Sequence, residues 1–414
     1  MAPTDADVRA VVAAVEDPLL RRGLGELGMI RSLSLSESGA AVVVALPVEG
    51  WPVAAEVGDR VRRALAELGG VRDAAGGAGG EGGPGGEGGT SAGRATVELA
   101  VMDDDERAEL HRRLARGPGG EPVTPLGPPP RPARPGGAPA ALGHEAGRPN
   151  RFMAAGSRTR VVGISSGKGG VGKSSVTVNL AVALAARGHD VGLLDADVYG
   201  FSAPKMLGVH ERPVAIDDLL VPPVVHGVRC LSMGFFVPDA QPVIWRGPML
   251  HKTLEQFLVD AYWGEPDYLL IDMPPGTGDV ALSLGQYLPR TEMLVVTTPQ
   301  AAAQRVAQRS AYAARTLKLS LRGVVENMSW FTGDDGRRYE LFGAGGGRAL
   351  ADELEVPLLG QVPLVPAMRE GADTGVPIHL SQPGGEADLA FDALAARLED
   401  LGPARIYRRE LNVR

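Results

Sequence analysis

At 414 residues and 44% hydrophobic composition, the chain is long enough for two or three domains with a large buried core. A formal net charge of −8 excludes bulk attraction to nucleic acid or anionic lipid, both of which need a positive field. A single cysteine, Cys230, excludes an intrachain disulfide and any metal cage built from one chain's thiolates.

The setting of that thiol, "GVRCLSMGFF", reads as a buried strand position. No apolar run reaches the roughly 18 residues of a membrane span. The opening "MAPTDADVRAVV" places no basic segment before an apolar core, so no secretory leader is expected and the cytoplasm is the expected location.

Residues 1–116 read as a small α+β unit. "DADVRAVVAAVEDPLLRRGLGELGMI" predicts a helix, a turn at Asp17-Pro18 and a short second helix. "SLSLSESGAAVVVALPV" predicts a hairpin turning near Glu37 to Gly39. In "AAEVGDRVRRALAELGG", Val53, Val57, Val61, Leu65 and Leu68 form one helical stripe. "GRATVELAVM" supplies a further strand. The insertion at 74–93, "AAGGAGGEGGPGGEGGTSAG", has nothing to bury and is expected to be disordered. From 117 to 157 the density of Pro and Gly predicts a semi-extended linker.

From 158 to 402, apolar runs alternate with helical stretches. The runs are "RVVGISS", "VGLLDAD", "VRCLSMGFF", "DYLLIDMPP", "EMLVVTTP", "RGVVENMS" and "VPLLGQVPL". Helices are expected at 173–187, 248–262 and 301–317. Continuous apolar strands separated by helices predict a doubly wound, mainly parallel α/β sheet covered on both faces. The tail 403–414, "PARIYRRELNVR", is basic but short and lacks an apolar face, so no membrane contact is expected.

The chemistry starts at "SSGKGGVGKSS". Gly167 to Ser174 satisfies G-x-x-x-x-G-K-[ST] after a strand and before a helix, the setting of a P-loop. Backbone N–H groups through Gly167, Lys168, Gly169, Gly170, Val171, Gly172 and the helix start, with Ser175 adjoining, suit phosphate oxygens. Lys173 neutralises the β and γ phosphates of ATP, and the Ser174 hydroxyl is placed for Mg²⁺. "LLDAD" puts Asp195 and Asp197 at the carboxyl edge of the sheet, and "LLIDMPPGTGD" puts Asp272 there. Asp195 and Asp272 are expected in the Mg²⁺ shell. Gly276 and Gly278 suggest a loop that senses the γ-phosphate.

The spelling "KGGVGKS" carries a second lysine, Lys168. It resembles the signature of the deviant Walker A ATPases, the class of MinD, ParA and the nitrogenase iron protein, in which this lysine crosses a dimer interface. Within that class, "SGKGGVGKS", "DADVYGFSAPKMLG", "VIWRGPMLHKTLEQFL", "DYLLIDMPPGTGD", "TTPQ" and "GVVENMSWF" resemble the Mrp group of iron–sulfur cluster carriers over about 160–370. The resemblance implies a homodimer with Lys168 and Lys173 on phosphate. It also implies that Asp197 positions the attacking water and that Asn327 recognises the adenine. Trp245-Arg246-Gly247 would lie near the dimer surface. Charge supports a trans role for Lys168, because hydrolysis spreads negative charge over the γ-phosphoryl oxygens.

Cargo ligands are another matter. The resemblance implies a C-x-x-C pair after the "NMS" strand and a [4Fe–4S] cluster shared between subunits. The chain instead has Thr332, Gly333, Asp334 and Asp335 there. "VEDPLLRRGLGELGMI" and "VALPVEGWPV" resemble a small iron–sulfur assembly domain that often has a cysteine in a "GCP" turn; here the turn is Gly50-Trp51-Pro52. Clusters need soft thiolates, so no iron–sulfur ligand is identifiable. None of the seven histidines forms an i, i+4 pair, so no metal site beyond Mg²⁺ is expected.

The expected function is an ATP-hydrolysing iron–sulfur cluster carrier or assembly factor with client proteins as partners. Two alternatives stay open. One is a nucleotide-switched scaffold that has lost the cluster. The other is a ParA/MinD-like positioning ATPase, which would need a basic face or an amphipathic tail.

Overall fold

The computed structural model describes residues 4–36, 39–68, 71–73, 93–115, 150–153, 157–198, 200–236, 247–276 and 279–403. Several sequence expectations therefore lie outside the described residues: the 74–93 insertion apart from Gly93, most of the 117–157 linker, Trp245-Arg246, and the tail beyond Pro403. Gly278 and the Glu37–Ser38 turn lie outside them too.

The chain divides into two compact units, Met1–Pro125 with Val214–Val221, and Leu126–Pro213 with Pro222–Arg414. In the first, the Thr4 and Asp7 side chains close a capping box on α1 (Asp5–Ala14), satisfying N–H groups that lack helical partners. Strands β1 (Ile30–Ser36) and β2 (Gly39–Leu46) pair antiparallel. Helix α2 (Ala54–Glu67) buries Val57, Val61 and Leu65, the middle of the predicted stripe. Strand β3 (Val71–Asp73) and β4 (Gly93–Val101) complete a sheet of order β1-β2-β4-β3, and α3 (Asp104–Leu114) follows.

The hairpin Val214–Ile216 with Leu219–Val221 belongs to this unit, and its Asp217 pairs with Arg107 at 3.5 Å. A linear boundary at 158 therefore misses one piece of the smaller unit. Three-residue strands give too little periodicity to be read from sequence.

The larger unit is built on an eight-stranded sheet. In chain order its strands are β5 (Arg160–Ser166), β6 (Val191–Asp195), β7 (Val224–Val225), β8 (Val228–Ser232), β9 (Tyr268–Asp272), β10 (Glu292–Thr297), β11 (Ser320–Glu326) and β12 (Leu358–Gln361). Their spatial order is β7-β8-β6-β9-β5-β10-β11-β12, parallel except for the edge strand β7. Every residue of β5, β6, β8, β9 and β10 is buried. That is the physical basis of the continuous apolar runs: a parallel strand covered on both faces has no wet side.

Helix α4 (Lys173–Ala186) follows the P-loop and is buried on most of its surface, with Leu180 and Leu184 fully enclosed. Each such leucine contributes about 1.5–3 kcal/mol relative to exposure. Helix α5 runs Gly247–Val259, shorter than its predicted span. The buried Trp263 indole turns back and donates to Phe257 O at 2.7 Å, occupying a carbonyl at the helix end. Helices α6 (Asp279–Tyr287), α7 (Ala301–Thr316), α8 (Gly346–Glu353), α9 (Pro366–Thr374) and α10 (Glu386–Asp400) complete the unit.

Because the chain leaves β5 for β6 on one side and later β10 on the other, connections diverge around β5. That divergence opens a crevice at the carboxyl ends of the strands, where α/β sheets bind ligands. No helix among the described residues is long and apolar enough to cross a membrane.

Candidate nucleotide site

The P-loop runs from the end of β5 into α4, and its glycines answer two different demands. A Cβ on Gly167 would lie 2.1 Å from Ala307 N, so only hydrogen fits where the loop passes under α7. Gly172 has φ +80°, and a Cβ there would meet the Asn327 amide at 2.2 Å. The first turn of α4 has no side-chain cap and no acidic residue. Its N–H groups are therefore left for an anion, helped by the helix dipole.

Lys173 is only 6% exposed, so its ammonium needs partners. Its Nζ lies 2.7 Å from Asp272 Oδ1 and 3.6 Å from Asp197 Oδ2. The Ser174 hydroxyl donates to Asp272 Oδ2 at 2.6 Å. Thr177, one helical turn past Lys173, donates to Asp272 Oδ1 at 2.9 Å. Asp272 is fully buried at the end of β9. A lysine, two hydroxyls and two carboxylates from three elements thus meet beside the phosphate loop. The Ser174 hydroxyl and an Asp272 oxygen are hard donors, the kind Mg²⁺ takes, and they fit that ion.

Asp195 sits differently. Its Oδ1 accepts from Asp197 N at 3.1 Å. Its Oδ2 accepts from Ser202 N at 3.0 Å, Ala203 N at 3.1 Å and the Ser232 hydroxyl at 3.2 Å. Burial, and next the neighbouring Asp272 carboxylate, push Asp195 above the usual carboxylate range, while the N–H donors of Asp197 and Ala203 pull it back. The four donors engage oxygens that the sequence reading assigned to Mg²⁺.

Among the remaining sequence candidates, Asn327 is buried and donates through Nδ2 to Val171 O at 2.9 Å, bracing the loop. Val171 is buried, while Gly169 and Gly170 are exposed. The Ser175 hydroxyl points to Met206 Sδ at 3.9 Å. Lys168 Nζ reaches Gln300 Oε1 of its own chain at 3.4 Å. Gly276 N donates to Ser166 O at 3.0 Å, tying the loop after β9 to the end of β5. Sequence reasoning missed Thr177, Ser232 and Gln300. Only Thr177 had a local signal, its i+4 spacing from Lys173 on one helix face.

The region of the expected cargo thiolates is a small hairpin, Phe331–Thr332 with Arg338–Tyr339. Glu386 accepts from Trp330 Nε1 at 2.7 Å, Thr332 Oγ1 at 2.8 Å and Arg338 at 2.9 Å. The Arg338 guanidinium also lies 4.3 Å from the Trp330 ring centroid. Asp335 accepts from Arg337 N and Tyr339 Oη. Cys230 is fully buried in β8, and burial followed by Asp195 raises its thiol well above the usual range. In the first unit, the Trp51 indole fills the turn and donates to the buried Asp17 at 3.0 Å. Among the described residues no group of three or more His, Cys, Asp or Glu is placed to hold a metal. These donors do not fit an iron–sulfur cluster.

Comparison with known proteins decides the family. The ParA family described as NUBPL iron-transfer P-loop NTPase matches residues 157–399. The chain belongs to the NUBPL iron-transfer P-loop NTPases. A second family, described as iron-sulfur cluster assembly protein, matches residues 5–75. Two relatives of this NUBPL-type chain are each named iron-sulfur cluster carrier protein. The one from Mycobacterium tuberculosis H37Rv is 42% identical over 408 residues, covering 96% of this chain and 94% of its own. The one from Synechocystis is 37% identical over 405 residues, covering 96% and 97%. Among solved structures, a nucleotide-binding protein from Archaeoglobus fulgidus in complex with ADP is 32% identical at TM-score 0.48, covering 55% of this chain and 90% of that one. The cell-division ATPase MinD of Pyrococcus furiosus is 26% identical at TM-score 0.46, covering 58% and 99%.

Proposed function

We propose that this NUBPL-type chain is an ATP-hydrolysing carrier or assembly factor for iron–sulfur clusters. Its nucleotide state is coupled to a homodimer, and it serves client proteins in the cytoplasm. The observation that carries the reading is the meeting of Lys173, Ser174, Asp272 and Asp197 at the head of α4. Family membership and the names of full-length relatives support the cargo.

Lys173 exchanges its carboxylate partners for the β and γ phosphates, which the backbone of 167–172 and the α4 N-terminus cradle. The Ser174 hydroxyl and an Asp272 oxygen would hold Mg²⁺, which would supply neutralisation of the phosphate charge there. Asp197, held by Gly200 N at 3.1 Å, orients the attacking water. Lys168 leaves Gln300 and stabilises the partner subunit's γ-phosphoryl group, so that ATP joins two subunits and hydrolysis releases them. Asn327 braces the loop and faces the base.

The test is Mg²⁺-dependent phosphate release, combined with sedimentation in ATP and in ADP. Turnover with an ATP-stabilised dimer supports the reading; absence of both overturns it. A second reading, a nucleotide-switched scaffold on which clients supply the thiolates, is favoured by the bonded hairpin at 331–339 and the buried Cys230. Anaerobic cluster transfer to an acceptor protein, with and without client present, separates the two.

A further inference from the structure

We infer that Asp195 is a positioning residue of the ATPase reaction, whose carboxylate seats the loop carrying Asp197, and that it is not a ligand of Mg²⁺. The inference rests on the ATPase reading above. Four donors reach Asp195, three on Oδ2 and one on Oδ1, which fills Oδ2 and engages Oδ1. Three of them come from the two ends of one loop: Asp197 N where the chain leaves β6, and Ser202 N with Ala203 N where it enters the short helix Ala203–Leu207. The two ends of the loop are thus held on the same anchor.

Ser232, paired with Asp195 across the β8–β6 register, fastens that anchor to the neighbouring strand end, and Gly234 N donates in turn to the Ser232 hydroxyl at 3.0 Å. On its other side Asp195 is in register with Asp272. One buried side chain thus sets the Asp197 loop against both the phosphate-side strand and the outer strand. Asp197 lies 3.6 Å from Lys173 Nζ, a spacing that holds only while its loop keeps this seat. An amide cannot replace the acid, because one of its two ends would turn N–H toward N–H.

The test uses the full-length chain with Asp195→Asn and Ser232→Ala. Turnover is measured against ATP and against Mg²⁺, and backbone hydrogen exchange is followed at 197–203 without nucleotide. Asp195→Asn is expected to lower kcat roughly 10–100-fold, as loss of an outer-shell orienting partner does. KM for ATP and the Mg²⁺ half-saturation should stay unchanged, with faster exchange at 197–203 and not in α4. Ser232→Ala should show the same pattern more weakly, and it carries the test if Asp195→Asn does not fold. A raised Mg²⁺ requirement in Asp195→Asn would make Asp195 a metal ligand and overturn the inference, as would parent-like kcat in both variants. If the parent itself lacks turnover, the ATPase reading fails, while the exchange comparison still decides whether Asp195 seats the loop.

Discussion

The P-loop region and the 331–339 hairpin both lie after strands of one sheet and both are rich in charge, yet they are built oppositely. At the P-loop, a buried ammonium meets two carboxylates next to a helix start with no cap of its own. An incoming polyanion can exchange for those carboxylates while keeping every donor employed. At the hairpin, polar groups answer one another: Glu386 takes three donors, and Asp335 takes two. The difference teaches that a strand-end loop is reactive when its partners are exchangeable, and structural when they are mutually committed.

The hardest test of the first half of this contrast is Lys168→Ala. Nucleotide binding should survive while phosphate release falls by about 10³-fold or more, the scale of a charge supplied in trans to a phosphoryl transition state. Retained turnover would return Lys168 to a cis role with Gln300. The second half is tested by anaerobic incubation with iron and sulfide. With no client or assembly protein present, the parent chain is expected to gain no stable cluster absorption, whereas Thr332→Cys with Asp335→Cys should gain iron; a cluster on the isolated parent would break the contrast.

Smaller effects sharpen it. Burial pushes the Glu386 carboxyl up, but bonds from Trp330, Thr332 and Arg338 outweigh it and leave it below its ordinary 4.5. The stabilisation these bonds give is present above pH 4.5 and lost as pH falls below it. Glu386→Gln should cost about 1.5 kcal/mol at neutral pH, seen in denaturant melts, and speed proteolysis at 331–339 without changing phosphate release.

The smallest effect lies away from both regions. Arg187, then His189, hold Glu399 down from 4.5 to about 2 against its partial burial. Its stabilisation is complete above pH 4.5 and disappears between there and pH 2. Glu399→Gln is expected to flatten the fall of Tm over that acid limb by a small amount, as suits a partly exposed pair.

How much of this was readable in advance follows from sequence distance. The strands of the large sheet announce themselves because burial on both faces writes an unbroken apolar word, and the P-loop because its residues are consecutive. Asp272 followed from its place at a strand end. The role of Asp195 did not, since its donors include Ser202, Ala203 and Ser232, which only the β8–β6 pairing brings together. Trp51 bonding Asp17 and Lys168 meeting Gln300 are equally nonlocal. The end of β8 shows a local limit: "VRCLSMGFF" is mainly apolar, but the strand stops at Ser232 and a 3₁₀ turn takes Met233–Phe236. The Ser232 hydroxyl receives Gly234 N and draws the chain out of the extended form.

The enclosed Cys230 has a practical consequence. A thiol with no solvent exposure and a raised pKa presents almost no thiolate to alkylating reagents. For labelling chemistry the folded chain is therefore already a cysteine-free background. A single thiol placed at an exposed position of the 331–339 hairpin could take a fluorophore or spin label without removing any native residue to silence it.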